Sequence, residues 1–410
     1  MELIKILRIT YISLSIYIIG IFLISSFKIR EIFPGVVILW GIYFFFQLGY
    51  RSTSYLPKKN GYKKRKIKIK DENVVFYILS ILSIIFSIIT SQFYTGNSFI
   101  SVVNSFKNTA SSLYVNYQLY AQNSGILVFS FSKIPFILMN FYIKSCIFTF
   151  IPYYFLIKEK VTFLNYLAII NFIFAHIYFG TARGTNFEMF EIILLIIYIL
   201  LKKRSSNLKK YLVILSLISI AIIIFMNKVE SRGYTFDFIK TTDFYVENDS
   251  LLLSIFPFLP SILIPLYSYF GFGFYYCSTF ISKVWLNNFF STIYYSLPFK
   301  SFNFFDNVSV SVNKLIYVGP RWQPDFLTLS DNFGFLISFL LIYYFGFLTK
   351  KLQYFKGELI FYVTEYIIFL QFTSLLVGKF LITSSSSLLL VVVVLLIWLH
   401  KMFNQRIIVI

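Results

Sequence analysis

Three arginines beside glycine are the residues of this chain best suited to chemistry on phosphate. Arg183 stands in Gly180-Thr181-Ala182-Arg183-Gly184-Thr185, and Arg232 in Glu230-Ser231-Arg232-Gly233-Tyr234. Arg321 stands in Gly319-Pro320-Arg321-Trp322-Gln323-Pro324-Asp325. A guanidinium keeps its charge at any physiological pH, and its planar fork of donors matches a pair of phosphate oxygens. The flanking glycines would let backbone approach a ligand closely. Gathered at one membrane face, three such groups could hold a diphosphate. The plainer account is that each snorkels from an apolar helix end to water.

Ionisable groups within apolar stretches are the next clue, because burial in hydrocarbon is costly unless they are paired or hydrated. Glu188 and Glu191 lie one helical turn apart just after Arg183, and Glu365 sits inside a later apolar stretch. His176 precedes Arg183 by seven residues and shares its face if the helix continues through Gly180. An ion pair of Arg183 with Glu188 or Glu191 would serve the fold as readily as catalysis, and a lone histidine is commonly a satisfied packing residue. The other histidine is His400, and the two cysteines, Cys146 and Cys277, both have apolar neighbours. No metal-ligand spacing, Walker-type phosphate loop or Gly-x-Ser-x-Gly elbow is present. ATP hydrolysis and serine hydrolase chemistry are therefore disfavoured, and no metal or cofactor is expected.

The elements that must position these residues are membrane helices. Of 410 residues, 58% are hydrophobic, 21% aromatic and only 13% charged, against about 25% charged in a soluble domain. Apolar stretches recur near the ~20 residues that cross ~30 Å of hydrocarbon. They predict helices at 9–27, 32–50, 73–90, 133–157, 161–179, 185–201, 211–227, 332–349, 358–377 and 384–400. The first is too long for a cleaved leader and lacks a small-residue cleavage site, so it reads as a retained helix.

A net charge of +20 would suggest nucleic acid in a soluble protein. Here the basic residues crowd alternate short loops, such as Lys63, Lys64, Arg65 and Lys66, or Lys202, Lys203 and Arg204. Short basic loops stay cytoplasmic, and Lys5, Arg8, Lys401 and Arg406 place both termini there. The segments assigned to the cytoplasm hold 23 of the 37 Lys/Arg and 5 of the 17 Asp/Glu, a balance of +18. Orientation thus accounts for the charge, and no nucleic-acid partner is expected.

Helix parity makes 228–331 external, with eight of the seventeen acids, Glu230, Asp237, Asp325 and Asp331 among them. A connection this long is usually functional or internally structured. Its apolar part, 251–280, is interrupted by Pro257, Pro260, Pro265, Gly271 and Gly273, which predicts short, broken or re-entrant helices. A second external stretch, 91–125, carries Tyr94, Tyr114, Tyr117 and Tyr120. Those rings could stack on sugars or form an interfacial aromatic belt. No internal repeat of the transporter kind is visible. The expected fold is all-α: one integral membrane domain over 1–410, with about ten transmembrane helices.

This arrangement resembles the oligosaccharide repeat unit polymerases, the O-antigen polymerase family of bacterial surface polysaccharide synthesis. The likeness rests on the helix number, on Gly-Thr-Ala-Arg-Gly-Thr at an outer hairpin, and on the long external segment that opens with Ser231-Arg232-Gly233. It rests also on the closing stretch Asp325-Phe326-Leu327-Thr328-Leu329-Ser330-Asp331-Asn332-Phe333-Gly334. The resemblance implies a glycosyltransferase-C-like fold in the bacterial cytoplasmic membrane. It implies a metal-independent glycosyltransferase that joins oligosaccharide repeat units, carried on undecaprenyl diphosphate, at the outer face for O-antigen or capsule. Arg183, Arg232 and Arg321 would neutralise the leaving diphosphate, and an external carboxylate, Asp325 or Glu230, would accept the proton of the attacking hydroxyl. Tyr234, Asp237, Tyr275, Tyr276, Trp322 and His176 are the substrate-binding candidates. Partners would be the lipid-linked oligosaccharide, membrane lipid, a chain-length regulator and a flippase. An O-antigen ligase, or a lipid-linked oligosaccharide flippase, stays open as an alternative.

Overall fold

The computed structural model describes residues 3–24, 29–52, 72–105, 111–124, 130–158, 160–185, 187–203, 208–231, 278, 324–355, 358–375 and 385–406. Among these residues every regular element is a helix. The chain forms α1 (Leu3–Ile24), α2 (Ile29–Ser52), α3 (Glu72–Thr95), α4 (Phe99–Ser105), α5 (Ser111–Asn123) and α6 (Ile134–Pro152). It continues with α7 (Phe163–Ala182), α8 (Phe187–Lys202), α9 (Leu208–Ser231), α10 (Asp325–Leu352), α11 (Leu359–Ser374) and α12 (Ser385–Arg406). A 3₁₀ turn over Phe131–Lys133 leads into α6, and a π-helical turn over Tyr153–Ile157 follows it. A helix bonds its own N–H and C=O groups, which hydrocarbon cannot do for it.

The polarity of α3 shows what surrounds the bundle. Its buried face is a stripe of hydroxyls, Ser80, Ser83, Ser87, Thr90 and Ser91. Ile78, Ile81, Ile85 and Ile89 point outward, with Ile78 58% exposed while Ser80 is wholly buried. A helix in water would bury its isoleucines and expose its serines; lipid reverses the preference. The stripe packs on α7, where Ser87 donates to the Ala175 carbonyl (2.5 Å) and Asn171 Nδ2 to Ser80 Oγ (3.1 Å). Small side chains let two membrane helices approach, and their hydroxyls find partners across the contact.

Glycines do the same for α2 and α10, which run parallel: Gly41 meets Phe339, and Gly49 meets Tyr343 and Phe347. A Cβ on Gly49 would lie 1.8 Å from the Tyr343 carbonyl oxygen, and one on Gly346 2.0 Å from that of Phe46.

Six helical stretches among the described residues are long and apolar enough to cross a membrane: Leu3–Gly20, Phe33–Ser52, Glu72–Thr95, Phe131–Ile157, Phe163–Ala182 and Gly334–Leu352. Lys210–Phe225, Leu359–Ser374 and Ser386–His400 are shorter apolar helices. The chain is a multi-pass helical membrane protein. Each of the ten stretches expected from hydropathy contains a helix, but α8 has only 16 residues and carries Glu188, Glu191 and Lys202. It holds those charges because its neighbours surround and pair them.

Two expected loops prove helical. The polar stretch 91–125 contains the end of α3, then α4 and α5. The last expected external residues, 325–331, form the first turns of α10, which breaks at Gly334 (φ 75°, ψ 162°) before the apolar span. Of the remaining segment, 232–323, only Ser278 is among the described residues; its Oγ accepts from the Gly35 N–H of α2 (2.6 Å). The broken helices expected over 251–280 otherwise lie outside the described residues.

Candidate functional site

The turn between α7 and α8 is built by its own sequence. The Thr185 N–H bonds the Gly180 carbonyl (2.9 Å) and the Gly184 N–H that of Thr181 (2.8 Å), with Gly184 at φ 63°. This is the Schellman closure of a helix, which places glycine at the left-handed position. A Cβ on Gly184 would also meet Tyr114 Cβ at 2.7 Å, and a Cβ on Gly180 would meet Glu188 Oε2 at 2.5 Å. Both glycines are thus required by the chain's own packing, whatever a ligand adds.

Arg183 follows the last turn of α7, and Glu188 lies in the first turn of α8. A cation at a helix C-terminus and an anion at an N-terminus both oppose the local dipole charge. The guanidinium donates through Nη2 to Glu188 Oε1 and lies over the Phe179 ring (4.6 Å to its centroid). Thr185 Oγ1 donates to the other oxygen of Glu188 (3.1 Å). Glu188 is buried, the Arg183 side chain keeps 22% of its surface exposed, and its buried Nε has no hydrogen-bond partner among the described residues. Arg183 is therefore anchored from below and open at one edge.

One turn further along α8, Glu191 is the centre of a second cluster. It takes Lys144 Nζ of α6 on Oε1 (2.8 Å) and sits 2.7 Å from His176 Nε2 of α7 through Oε2. Lys144 also donates to Ser387 Oγ of α12 (2.8 Å), and Tyr366 of α11 donates to the Glu191 carbonyl (2.6 Å). Five helices converge on this almost wholly buried group. Sequence reasoning named Glu191 and His176 but missed Lys144. The signal was present: a single lysine in the otherwise uncharged apolar run Ile134–Pro152 is an intramembrane charge that must have a partner. The helix of His176 does continue through Gly180 to Ala182, with Arg183 as its C-cap, and each of the two is bound to a different acid of α8.

Asp325 begins α10 and is buried, its Oδ2 accepting from Gln371 Nε2 of α11 (2.9 Å), while the Phe326 N–H bonds the Leu375 carbonyl (2.9 Å). Tyr366 meets Glu191 whereas Tyr362 and Glu365 meet Tyr198, so α8 and α11 are antiparallel. Asp325 therefore lies at the Arg183 end of the bundle, but α11 holds it, where α8 holds Arg183. Glu230 is in the final turn of α9, and its side chain lies outside the described residues. So do Arg232, Tyr234, Asp237, Tyr275, Tyr276, Arg321 and Trp322.

At the same end, α5 lays Tyr114 against Gly184 and Tyr120 against Gly96, and Tyr94 meets Phe179 edge-on (6.2 Å). The opposite end is closed by different pairs. Lys202 binds Glu365 (2.5 Å), which also accepts from Tyr198 (2.6 Å). Lys158 binds Glu72 (3.3 Å) and Asn73 (2.8 Å). Among the described residues no three His, Cys, Asp or Glu side chains form a metal-ligand group. No family model, no curated protein and no solved structure matches the chain.

Proposed function

We propose that this multi-pass membrane protein is a metal-independent glycosyltransferase that polymerises lipid-diphosphate-linked oligosaccharide units at the membrane face where Arg183 emerges. The observation that carries the reading is Arg183 itself. It is fixed on a closed helix turn, paired with buried Glu188, and partly exposed at the turn where Tyr114 of α5 packs on Gly184. A guanidinium held this way needs little rearrangement to receive phosphate oxygens, and preorganised charge of that kind stabilises a leaving diphosphate. The charge balance of the loops supports an orientation with this face outside the cytoplasm, where an undecaprenyl-linked repeat unit would be met without a nucleotide. The resemblance of the Gly-Thr-Ala-Arg-Gly-Thr turn and the Asp325–Gly334 stretch to the O-antigen polymerases supports the same reading. Arg232 and Arg321 are the further cations it requires. Asp325 or Glu230 would take the hydroxyl proton, and buried Asp325 would first have to become accessible.

A cluster of ionisable groups inside the spans, Lys144, Glu191 and His176, favours a second reading, a transporter of the same lipid-linked units. One experiment separates the readings. In cells carrying stable, normally inserted Arg183→Ala, the polymerase reading expects long polymer to fall by about a hundredfold or more in rate. Single repeat units on their lipid should then accumulate on the outer leaflet. Arg183→Lys keeps the charge without the fork and should be less impaired. Accumulation on the cytoplasmic leaflet would favour transport, and long polymer left on its carrier would favour a ligase. Full-length polymer made by stable Arg183→Ala would refute the role given to Arg183.

A further inference from the structure

At the end of the bundle opposite Arg183, helices α10, α11 and α12 leave an apolar cavity among them. It measures about 40 Å³, and its walls include Leu348 and Leu352 of α10, Thr364 and Ile368 of α11, and Val391 and Trp398 of α12. Water has room there but needs two or more polar partners, and a cavity without them stays dry. The Thr364 hydroxyl is already spent on the Ile360 carbonyl of its own helix (2.7 Å). The other polar group is the indole of Trp398, whose buried N–H has no partner among the described residues. Such a space suits hydrocarbon. The walls run inward from Leu352 to Phe345 and from Trp398 to Val391, seven residues or about 10 Å along each helix axis. Both walls also continue into surfaces that face lipid. Leu340 and Tyr344 of α10, and Leu388 and Leu396 of α12, are more than half exposed. Leu348 lies one turn beyond Tyr344, and Leu395 lies two turns beyond Leu388, so each helix carries its lipid-facing ridge to the cavity.

The charge at this corner is unbalanced. Lys351 Nζ lies 4.2 Å from the centre of the Phe347 ring, and Lys350 Nζ lies 4.8 Å from that of Tyr50. Arg51, next to Tyr50 in the last turn of α2, is a third cation. Lys202 and Lys158 at the same end each bind a glutamate, whereas Arg51, Lys350 and Lys351 have no carboxylate partner among the described residues. Aromatic rings hold the two lysines in place without cancelling their charge. We propose that this corner binds an anionic phospholipid, with one acyl chain in the α10–α11–α12 cavity and the phosphate at Lys351. Lys350 and Arg51 strengthen the positive field there. Lipid is the solvent at both ridges, and the cavity runs from the charged edge toward the middle of the membrane, as an acyl chain does. The ester carbonyls of such a lipid are acceptors of the kind the Trp398 indole lacks. A neutral lipid would fill the cavity as well, so the unpaired cations select the headgroup, by about fivefold for each lysine. The proposal involves neither Arg183 nor any reaction, and it holds on either reading of the function.

Trp398 supplies the readout. The chain has four tryptophans, and Trp40→Phe, Trp285→Phe and Trp322→Phe leave Trp398 as the sole emitter. The full-length protein is reconstituted in phosphatidylcholine bilayers that contain a minor share of one lipid with brominated acyl chains, which quench tryptophan on close approach. Brominated phosphatidylglycerol should quench Trp398 at a membrane fraction about fivefold or more below that needed of brominated phosphatidylcholine. Lys350→Gln with Lys351→Gln should bring the two fractions together, and raised salt should narrow the gap. Val391→Phe, which fills the inner part of the cavity, should cut quenching by both lipids. Absence of quenching, or equal quenching by the two lipids, overturns the proposal. So does a preference that the lysine variant leaves in place. Quenching that Val391→Phe does not change would put the chain on the outer surface of α12, and would overturn it too. If Val391→Phe fails to fold, the headgroup preference and its loss in the lysine variant decide alone.

Discussion

Replacing Gly184 by alanine tests whether the Arg183 turn is built as described, because the substitution meets two separate obstacles. The first is conformational: Gly184 has φ 63°, and a left-handed residue with a Cβ loses about 1–2 kcal/mol. The second is steric. The new methyl would lie 2.7 Å from Tyr114 Cβ and 2.9 Å from its Cα and N, where carbon atoms prefer ~3.5–4.0 Å. These are backbone and first side-chain atoms of α5, so no rotamer relieves the overlap and the helix itself must shift. Overpacking of that kind costs about 1–3 kcal/mol, which brings the expected loss to about 2–5 kcal/mol. Buried Cys146 supplies the assay: with Cys277→Ser, a thiol-reactive dye reports unfolding in detergent as temperature rises. Gly184→Asn should recover part of the loss, since asparagine tolerates the left-handed region. Tyr114→Ala should recover none, because it keeps the clashing Cβ. An unchanged melt for Gly184→Ala, or full rescue by Tyr114→Ala, would refute this account of the turn.

The same assay bears on two other contacts. Gly49→Ala and Gly346→Ala should each lower stability by about 1–3 kcal/mol, and the double variant should lose less than the sum, because one separation of α2 from α10 relieves both; strict additivity would count against the shared contact. Lys144→Met should cost about 3–5 kcal/mol by leaving Glu191 with an uncompensated buried charge, and adding Glu191→Gln should restore much of it. A double variant less stable than Lys144→Met would contradict the pairing.

The helices were legible because hydropathy reports the solvent directly: all ten apolar stretches contain a helix. Boundaries were less so, for reasons visible at particular residues. Asp325 looks like a loop residue beside Pro324, yet it starts a helix with its carboxylate accepting from Gln371, a partner 46 positions away that no local pattern reveals. The polar stretch 91–125 reads as a loop by composition, but its helices lie along the bundle end and need no apolar span. At the site, the possible pairing of Arg183 with a nearby acid was readable from helical spacing. Which acid was not, since Glu188 and Glu191 differ only in which helices they face. Lys144 belongs to Glu191 through tertiary packing between α6 and α8, and the purpose of the two glycines depends on Tyr114 and Glu188. These are contacts across the bundle, and one-dimensional periodicity does not carry them.

The pairing pattern also constrains any mechanism at this end of the molecule. Arg183 has Glu188, Lys144 has Glu191, Lys202 has Glu365 and Lys158 has Glu72, so these charges cancel pairwise. A diphosphate approaching Arg183 would therefore meet a guanidinium already bound to one carboxylate, and its own negative charge would be repelled by Glu188 behind it. Exposure of the guanidinium edge permits contact, but one neutralised arginine is a weak trap for a multiply charged anion. On the transferase reading, the remaining positive charge must come from residues such as Arg232 and Arg321, outside the described residues, arriving on the 228–331 segment. That segment is tied to the bundle at the same end, since Ser278 bonds Gly35 near the start of α2, and α2 runs parallel to α10 with Asp325 at its head. On that reading the bundle would supply a charge-balanced seat, and the 228–331 segment would have to supply the excess charge that makes binding of a diphosphate favourable. Under the transferase proposal, such a division of the cations would account for a fixed half-site that is neutral although the proposed ligand is not.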